Sequence, residues 1–317
     1  MTPPPNPPPD EPLPALPKRD PAGHKGTFGT VAVFGGCATG DARMIGAPAL
    51  AAISALRSGA GLVKLVAPEP ILDSAITIAP SATGRAIPVD SDRCIIAHEA
   101  VAALDEFART SDCLVVGPGL GVGQGPTALS LRAVQQEDAP VIIDADAINS
   151  LAQIPDLAQD FHAAAVLTPH PGEYRRLAEA LNLHHDPVNP KTRPDAAQAL
   201  AQRLGCIVVL KGPNTVVSDG QRIWINESGH HCLATAGTGD VLAGILAGLT
   251  AQFVAPVIHP KIPRPPNKPL GLFNATRLAV HAHGLAAQRW AQSHDAESGM
   301  LAFELADLIP DALASLT

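Results

Sequence analysis

The chain has 317 residues, 46% of them hydrophobic and only 16% charged, which suits a folded domain with ample core and excludes a disordered chain. Its formal charge of −8 argues against nucleic acid as the main partner, because phosphate-backbone binding wants a basic field, but leaves room for a local nucleotide site. No apolar run approaches the ~20 residues of a membrane span, so no membrane partner is expected.

Ten of the first 21 residues are proline. They offer few donors and little apolar bulk, so residues 1–23 read as a disordered or polyproline-like tail. This tail has no apolar core of a signal peptide, and the five cysteines form no C-x-x-C pair. Both features lead to the expectation of reduced thiols and a cytoplasmic location. Residues 24–317 read as one domain. Within it, short β-branched runs alternate with Ala- and Leu-rich helical windows. "TVAVFGG" is a strand running into glycines, "APALAAISALRSGAG" a helix with a glycine stop, and "LVKLVAP" a strand. "DCLVVGPGLG", "PVIIDAD" and "AAVLTPHPGE" are three further strands, each ending in turn residues. "CIVVLKGPNTVVSDGQRIWINES" reads as three strands with tight turns, the second carried by Asp219 and Gly220. After Gly239 the pattern is mainly helical, interrupted at 254–272 by a proline-rich stretch read as a surface insertion. The alternation and the fully apolar strands predict an α/β fold in three layers: a mostly parallel central sheet with helices on both faces.

In such sheets ligands bind beyond the carboxyl ends of the strands, and the chemistry-bearing residues fall there. In "ATAGTGDVLAGIL", Gly237 and Gly239 allow a tight turn into a helix that starts near Thr238. Its free N–H groups form an anion hole over Ala236, Gly237, Thr238 and Gly239. Asp240 in the first turn has two readings: a carboxylate complementing the helix dipole, or a general base beside that hole. "VVLKGPNT" offers Lys211 to a phosphate, or is simply a hairpin turn. His170, held between two prolines, either presents its ring to a ligand or is structural. Asp144 and Asp146 either hold Mg²⁺ through water or, for Asp146, cap a helix. The pairs His230/His231 and His281/His283 read as loop and helix-surface residues without a ligand set.

Taken in order, "HKGTFGTVAVFGG", "GAPALAAISALRSGAGLVKL", "VVGPGLG", "VIIDADAIN", "LTPHPGE", "VVLKGPNT", "ATAGTGDVLAGILAGL", "AVHAHGLAA" and "GMLAFELADLIP" resemble the ADP/ATP-dependent NAD(P)H-hydrate dehydratases of the ribokinase-like fold. The resemblance covers about residues 24–312. It implies phosphorylation of the hydroxyl of NADH or NADPH hydrate (the S epimer) and loss of phosphate to restore the cofactor. The implied donor is ADP with Mg²⁺, giving AMP. It further implies Asp240 as base, and Lys211, Gly212, Pro213, Asn214, Thr215 and Gly239 around the nucleotide. Ala47, Gly117, Gly119, Gly121, His170 and Asp240 would surround the hydrate. The resemblance also implies a homo-oligomer, a tetramer. Because only about 24 proline-rich residues precede the first motif, the chain is expected to lack epimerase activity and to work with a separate epimerase. Two segments depart from the family pattern: "GGCATGDARMIGA" lacks the usual tyrosine, and in "NESGHHCLATAGTGD" Ala236 stands for a glycine and His231 for a proline. The alternative activity is that of another ribokinase-like kinase, such as a hydroxyethylthiazole kinase, and the alternative class a non-catalytic nucleotide-binding regulator.

Overall fold

The computed structural model describes residues 12–40, 42–254 and 270–317. Among them lie nine strands: β1 (Thr30–Phe34), β2 (Leu62–Pro68), β3 (Thr83–Ile87), β4 (Cys113–Val116), β5 (Val141–Ile143), β6 (Ala165–Leu167), β7 (Ile207–Leu210), β8 (Val216–Ser218) and β9 (Ile223–Ile225). The helices that follow β1 to β5 are α1 (Gly46–Arg57), α2 (Glu69–Ile78), α3 (Ala97–Thr110), α4 (Gln124–Gln135), α5 (Asp146–Leu151) and α6 (Leu157–Asp160). After β6 come α7 (Pro171–Ala180) and α8 (Arg193–Leu204). The chain ends in α9 (Thr238–Phe253), α10 (Leu272–His294), α11 (Ala302–Asp307) and α12 (Ile309–Ala314).

All nine strands join one sheet in the order β3-β2-β1-β4-β5-β6-β7-β8-β9. Pairing is parallel from β3 to β7 and antiparallel across β8 and β9. The period-2 alternation of a strand sorts side chains onto two cores. Val31 and Val33 of β1 face a core built with α1, α9, α10 and the two C-terminal helices. Ala32 and Phe34 face a second core built with α3, α4, α5, α7 and α8. This is the three-layer arrangement that the apolar strands predict.

The predicted strands and the β7–β8–β9 meander are all present. At the β8–β9 turn, Asp219 Oδ1 accepts from the N–H groups of Gln221 and Arg222 at 3.0 and 2.7 Å. The edge strand β3 escaped the sequence reading, because "TGRAI" is mostly exposed and carries no apolar run. Helix α9 is buried along nearly its whole length. It lies against α1 so closely that a Cβ on Gly244 would stand 2.3 Å from the Ala51 carbonyl oxygen.

The tail needs correction. Its first eleven residues lie outside the described residues, but residues 12–23 lie on the domain. Leu16 is buried, its N–H donates to the Leu316 carbonyl, and Leu13 packs against the same core. Arg19 stacks 3.7 Å above the Phe28 ring. Two leucines among the prolines suffice to anchor this stretch. Residues 255–269 of the proline-rich interruption also lie outside the described residues. On either side of them, Val254 and Leu270 form a parallel bridge.

Candidate active site

The carboxyl ends of β1, β4, β5, β6 and β7, consecutive in the sheet, form one rim. Backbone hydrogen bonds stitch their loops together. Gly36 donates to the Pro118 carbonyl at 3.0 Å, Gly117 to that of Phe34 at 3.1 Å, and Lys211 to that of Pro169 at 2.9 Å. The "GPGLG" turn packs on the start of α1: a Cβ on Gly119 would stand 3.2 Å from that of Ala47. Asp146 closes the turn at its far end, accepting from the Gly121 N–H at 2.8 Å. It is the first residue of α5, not its cap, so the capping reading of Asp146 is replaced by a loop-holding one.

Beside this rim is the start of α9, where a Cβ on Gly239 would stand 3.5 Å from Lys211 Nζ. Gly237 is its N-cap in the left-handed region, φ 90°. Thr238 secures the turn by donating its hydroxyl to the Leu233 and Thr235 carbonyls, at 2.9 and 3.0 Å. Among the described residues, the backbone N–H groups of Ala236, Gly237, Gly239 and Asp240 make no hydrogen bond. These donors at the positive end of a helix dipole form a cradle suited to an anion. Asp240 stands within it. Burial raises its pKa to about 7; the nearby Asp144, Asp146 and Glu173 carboxylates add to the rise and Lys211 opposes it.

Lys211 is not a free cation. Its Nζ donates to Asp144 Oδ1 at 2.8 Å and lies 3.9 Å from Glu173. Burial works against its charge, but Asp144 and Glu173 outweigh burial and its pKa rises. Asp144 is nearly inaccessible and also accepts from the Thr168 hydroxyl at 2.6 Å. Glu173 is buried as well, and burial raises its pKa against the pull of Lys211.

His170 caps α7. Its Nδ1 accepts from the N–H groups of Gly172 and Glu173 at 2.9 and 3.3 Å, while the Glu173 carboxylate accepts from the His170 N–H at 2.8 Å. An accepting Nδ1 leaves the proton on Nε2, and burial together with Lys211 and Arg176 lowers the ring's pKa. The side chain is half exposed, and its Nε2 lies 3.3 Å from Glu173 Oε1. These contacts account for the structural reading of His170, and its exposure leaves ring surface for a ligand.

A cavity of about 490 Å³ opens beside the cradle. Lys211, Gly212, Pro213, Asn214, Thr215 and Gly239, the residues grouped by sequence, all line it. Ala47, Gly117, Gly119, Gly121 and His170 do not; they lie on the rim formed by β1, β4 and β6. Asp240 follows Gly239, which lines the cavity, and lies close enough to Asp144, Asp146 and Glu173 to feel their charge.

His283 corrects another expectation. It lies not on the helix surface but on the cavity wall. Its Nε2 donates to the Thr238 carbonyl at 2.9 Å, and burial holds its pKa near 4, so the ring is neutral. Helical periodicity alone does not tell a cavity-facing position from a solvent-facing one. His230 and His231 do lie in the connecting segment, their rings 4.0 Å apart, and border the same cavity.

Among the described residues, no group of three His, Cys, Asp or Glu side chains could hold a metal ion. Asp144, the candidate Mg²⁺ partner, is committed to Lys211 and Thr168. These residues do not fit a protein-borne Mg²⁺ site.

A family model described as NAD(P)H-hydrate dehydratase matches residues 33–311. The chain is 39% identical over 303 residues to the bifunctional NAD(P)H-hydrate repair enzyme Nnr of Salinibacter ruber, covering 94% of this chain and 50% of that protein. It thus spans about half the length of such bifunctional relatives. It is 32% identical over 299 residues to the ADP-dependent (S)-NAD(P)H-hydrate dehydratase of Bacillus subtilis, covering 93% of this chain and 92% of that one. The solved ADP/ATP-dependent NAD(P)H-hydrate dehydratase of Bacillus subtilis, co-crystallized with ATP/Mg²⁺, is 28% identical and superimposes with a TM-score of 0.71, covering 96% of this chain and 95% of that one. A hydroxyethylthiazole kinase from Pyrococcus horikoshii, 16% identical, reaches a TM-score of 0.53 over 83% of this chain and 91% of its own, a likeness of fold alone.

Proposed function

The chain belongs to the NAD(P)H-hydrate dehydratase family, and from that premise we propose that it converts (S)-NADH or (S)-NADPH hydrate and ADP to NAD(P)H, AMP and phosphate. The observation that carries this reading is Asp240, a carboxyl with a pKa of about 7 among unsatisfied backbone N–H groups. A base of that strength is half ionised at neutral pH, where a general base works best.

The 490 Å³ cavity takes the adenine nucleotide, its phosphates directed past Gly239 toward the α9 N-terminus. The hydrate lies on the opposite rim, against Ala47, Gly117, Gly119, Gly121 and His170. Asp240 takes the proton of the hydrate's hydroxyl as that oxygen attacks the terminal phosphorus of ADP, and the bond to AMP breaks. The free N–H groups stabilise charge on the group in transfer. The ring nitrogen of the phosphorylated hydrate then expels phosphate, and the adjacent carbon loses a proton, restoring the dihydronicotinamide. Among the described residues no ligand set for Mg²⁺ is present, and no step of this reading is routed through the ion.

ADP rather than ATP, a tetramer, a cytoplasmic location and a separate epimerase partner are parts of the same reading. The Bacillus subtilis relative named as ADP-dependent supports the donor, and the bifunctional relatives support pairing with a second repair activity. No helix among the described residues is long and apolar enough to cross a membrane. The test is incubation with NADH hydrate, Mg²⁺ and either ADP or ATP. Recovery of dihydronicotinamide absorbance with matching release of phosphate supports the dehydratase. A phosphorylated alcohol that accumulates without that absorbance overturns it in favour of a simple kinase.

A further inference from the structure

Arg193, the first residue of α8, is 6% exposed. Its Nη2 donates to the Leu210 carbonyl at 2.7 Å, at the end of β7. Its Nε is buried and has no hydrogen-bond partner, and among the described residues the guanidinium forms no ion pair. A buried cation without a counter-charge is costly unless something in the working molecule neutralises it.

The guanidinium lies directly under Gly212. A Cβ on Gly212 would stand 2.7 Å from both terminal nitrogens, and Gly212 has φ 142°, in the range that favours glycine. The other side of Gly212 faces the 490 Å³ cavity. Only one glycine backbone thus separates a buried, unneutralised positive charge from the space read as the nucleotide site. Lys211, the cation that the sequence nominates for phosphate, is already paired with Asp144. The uncompensated charge of this turn belongs to Arg193.

We propose that Arg193 is the positioning residue of the nucleotide-binding turn, holding the Gly212 backbone and supplying from beneath it the positive charge that the phosphates of bound ADP neutralise. The proposal rests on the nucleotide site assigned to this cavity. It explains why a glycine follows Lys211: any side chain would displace the guanidinium. It also makes the charge conditional on ligand, because the phosphates are the counter-ion that the protein does not provide.

The test is calorimetric titration of the full-length protein with ADP and with adenosine, for wild type, R193M and R193K. R193M should bind ADP roughly ten- to hundredfold more weakly, the usual cost of losing one charged partner, while adenosine binding is unchanged. Melting of the free protein should change little, because removal of an unpaired buried charge offsets loss of the hydrogen bond to the Leu210 carbonyl. R193K keeps the charge without the fork and should fall between. The KM for ADP should follow these affinities with little change in kcat. R193M that binds ADP like wild type, or that loses adenosine and ADP equally, overturns the proposal, as does R193K that binds ADP as poorly as R193M. If R193M does not fold, R193K decides alone, by whether its loss is confined to ADP. A wild type that binds no ADP overturns the nucleotide site itself, and the role of Arg193 with it.

Discussion

Lys211 Nζ and Asp144 Oδ1 meet at 2.8 Å across the ends of β7 and β5, so the lysine beside the cavity is charge-compensated before any ligand arrives. The same carboxylate raises the pKa of Asp240. The two effects give one prediction. Asp144→Asn removes a negative charge near Asp240 and frees Lys211 to oppose that rise more strongly. Both changes favour the ionised base. With Asp240 as the proposed base, its pKa of about 7 sets the acid limb of kcat/KM, which should therefore move to lower pH in this variant. Breaking a buried pair should also cost about 3–5 kcal/mol of stability. A pH–rate profile together with denaturant unfolding checks both.

How much of this was legible beforehand depends on the range of each interaction. The strands that end in Gly35, Gly117, Asp144, His170 and Lys211 announce themselves by continuous apolar runs closed by turn residues, and their convergence on one rim follows from parallel topology. β3 does not announce itself, because an exposed edge needs no apolar run. The role of Asp146 is not legible locally, because its partner, Gly121, lies 25 residues earlier. Arg193 is equally silent in the sequence: it opens a helix 17 residues before the carbonyl it bonds, and nothing local marks a buried guanidinium. For Asp240 the letters left two readings open; burial among three other carboxylates favours the base.

Residues 12–23 give the next prediction. The proline-rich composition of this end predicts that removing residues 2–20 leaves folding and turnover unchanged. The buried Leu16 and its contact with Leu316 reverse that for folding. Leu16→Ala should destabilise by about 2 kcal/mol, the low end for a leucine at the margin of a core. Turnover at a temperature where the variant is folded should remain near normal. Equilibrium unfolding of the single variant is sufficient.

His283 contributes to acid sensitivity with the opposite sign to Asp240. Its folded pKa, near 4, lies below the ordinary value of 6.5. Between those two values the unfolded chain takes up a proton that the folded protein refuses. The stability due to the neutral ring is therefore present above about pH 6.5 and lost as pH falls toward 4. His283→Gln, whose amide nitrogen takes the place of Nε2 and can still donate to the Thr238 carbonyl, should lose less stability than wild type between pH 6.5 and 4. Melting curves across that range read the difference directly. Equal slopes for both proteins would mean that the ring is not held neutral.

Asp240 is where stability and chemistry part. If the carboxylate served only to complement the helix dipole, its removal would lower stability by about 0.3–1 kcal/mol and spare turnover. The structure argues for the reverse. Its folded pKa of about 7 lies above the ordinary carboxylate value of 3.8, so the folded protein holds a proton that the unfolded chain releases. The stability contributed by the protonated form is full below about pH 4 and is lost as pH rises through 7. Above that pH the fold carries an ionised carboxylate in surroundings that disfavour it. Asp240→Asn keeps the size and the turn but has no charge to bury. Its melting temperature should therefore gain on wild type progressively from pH 4 to pH 7 and remain higher at pH 8. Turnover should fall by about 10²–10⁴-fold, the usual contribution of a positioned general base. ADP affinity should not decrease, because the backbone N–H groups and the Lys211–Thr215 turn are untouched. One variant measured in three ways thus decides the assignment: near-normal turnover, or a melting temperature below wild type at pH 8, would return Asp240 to a purely structural role.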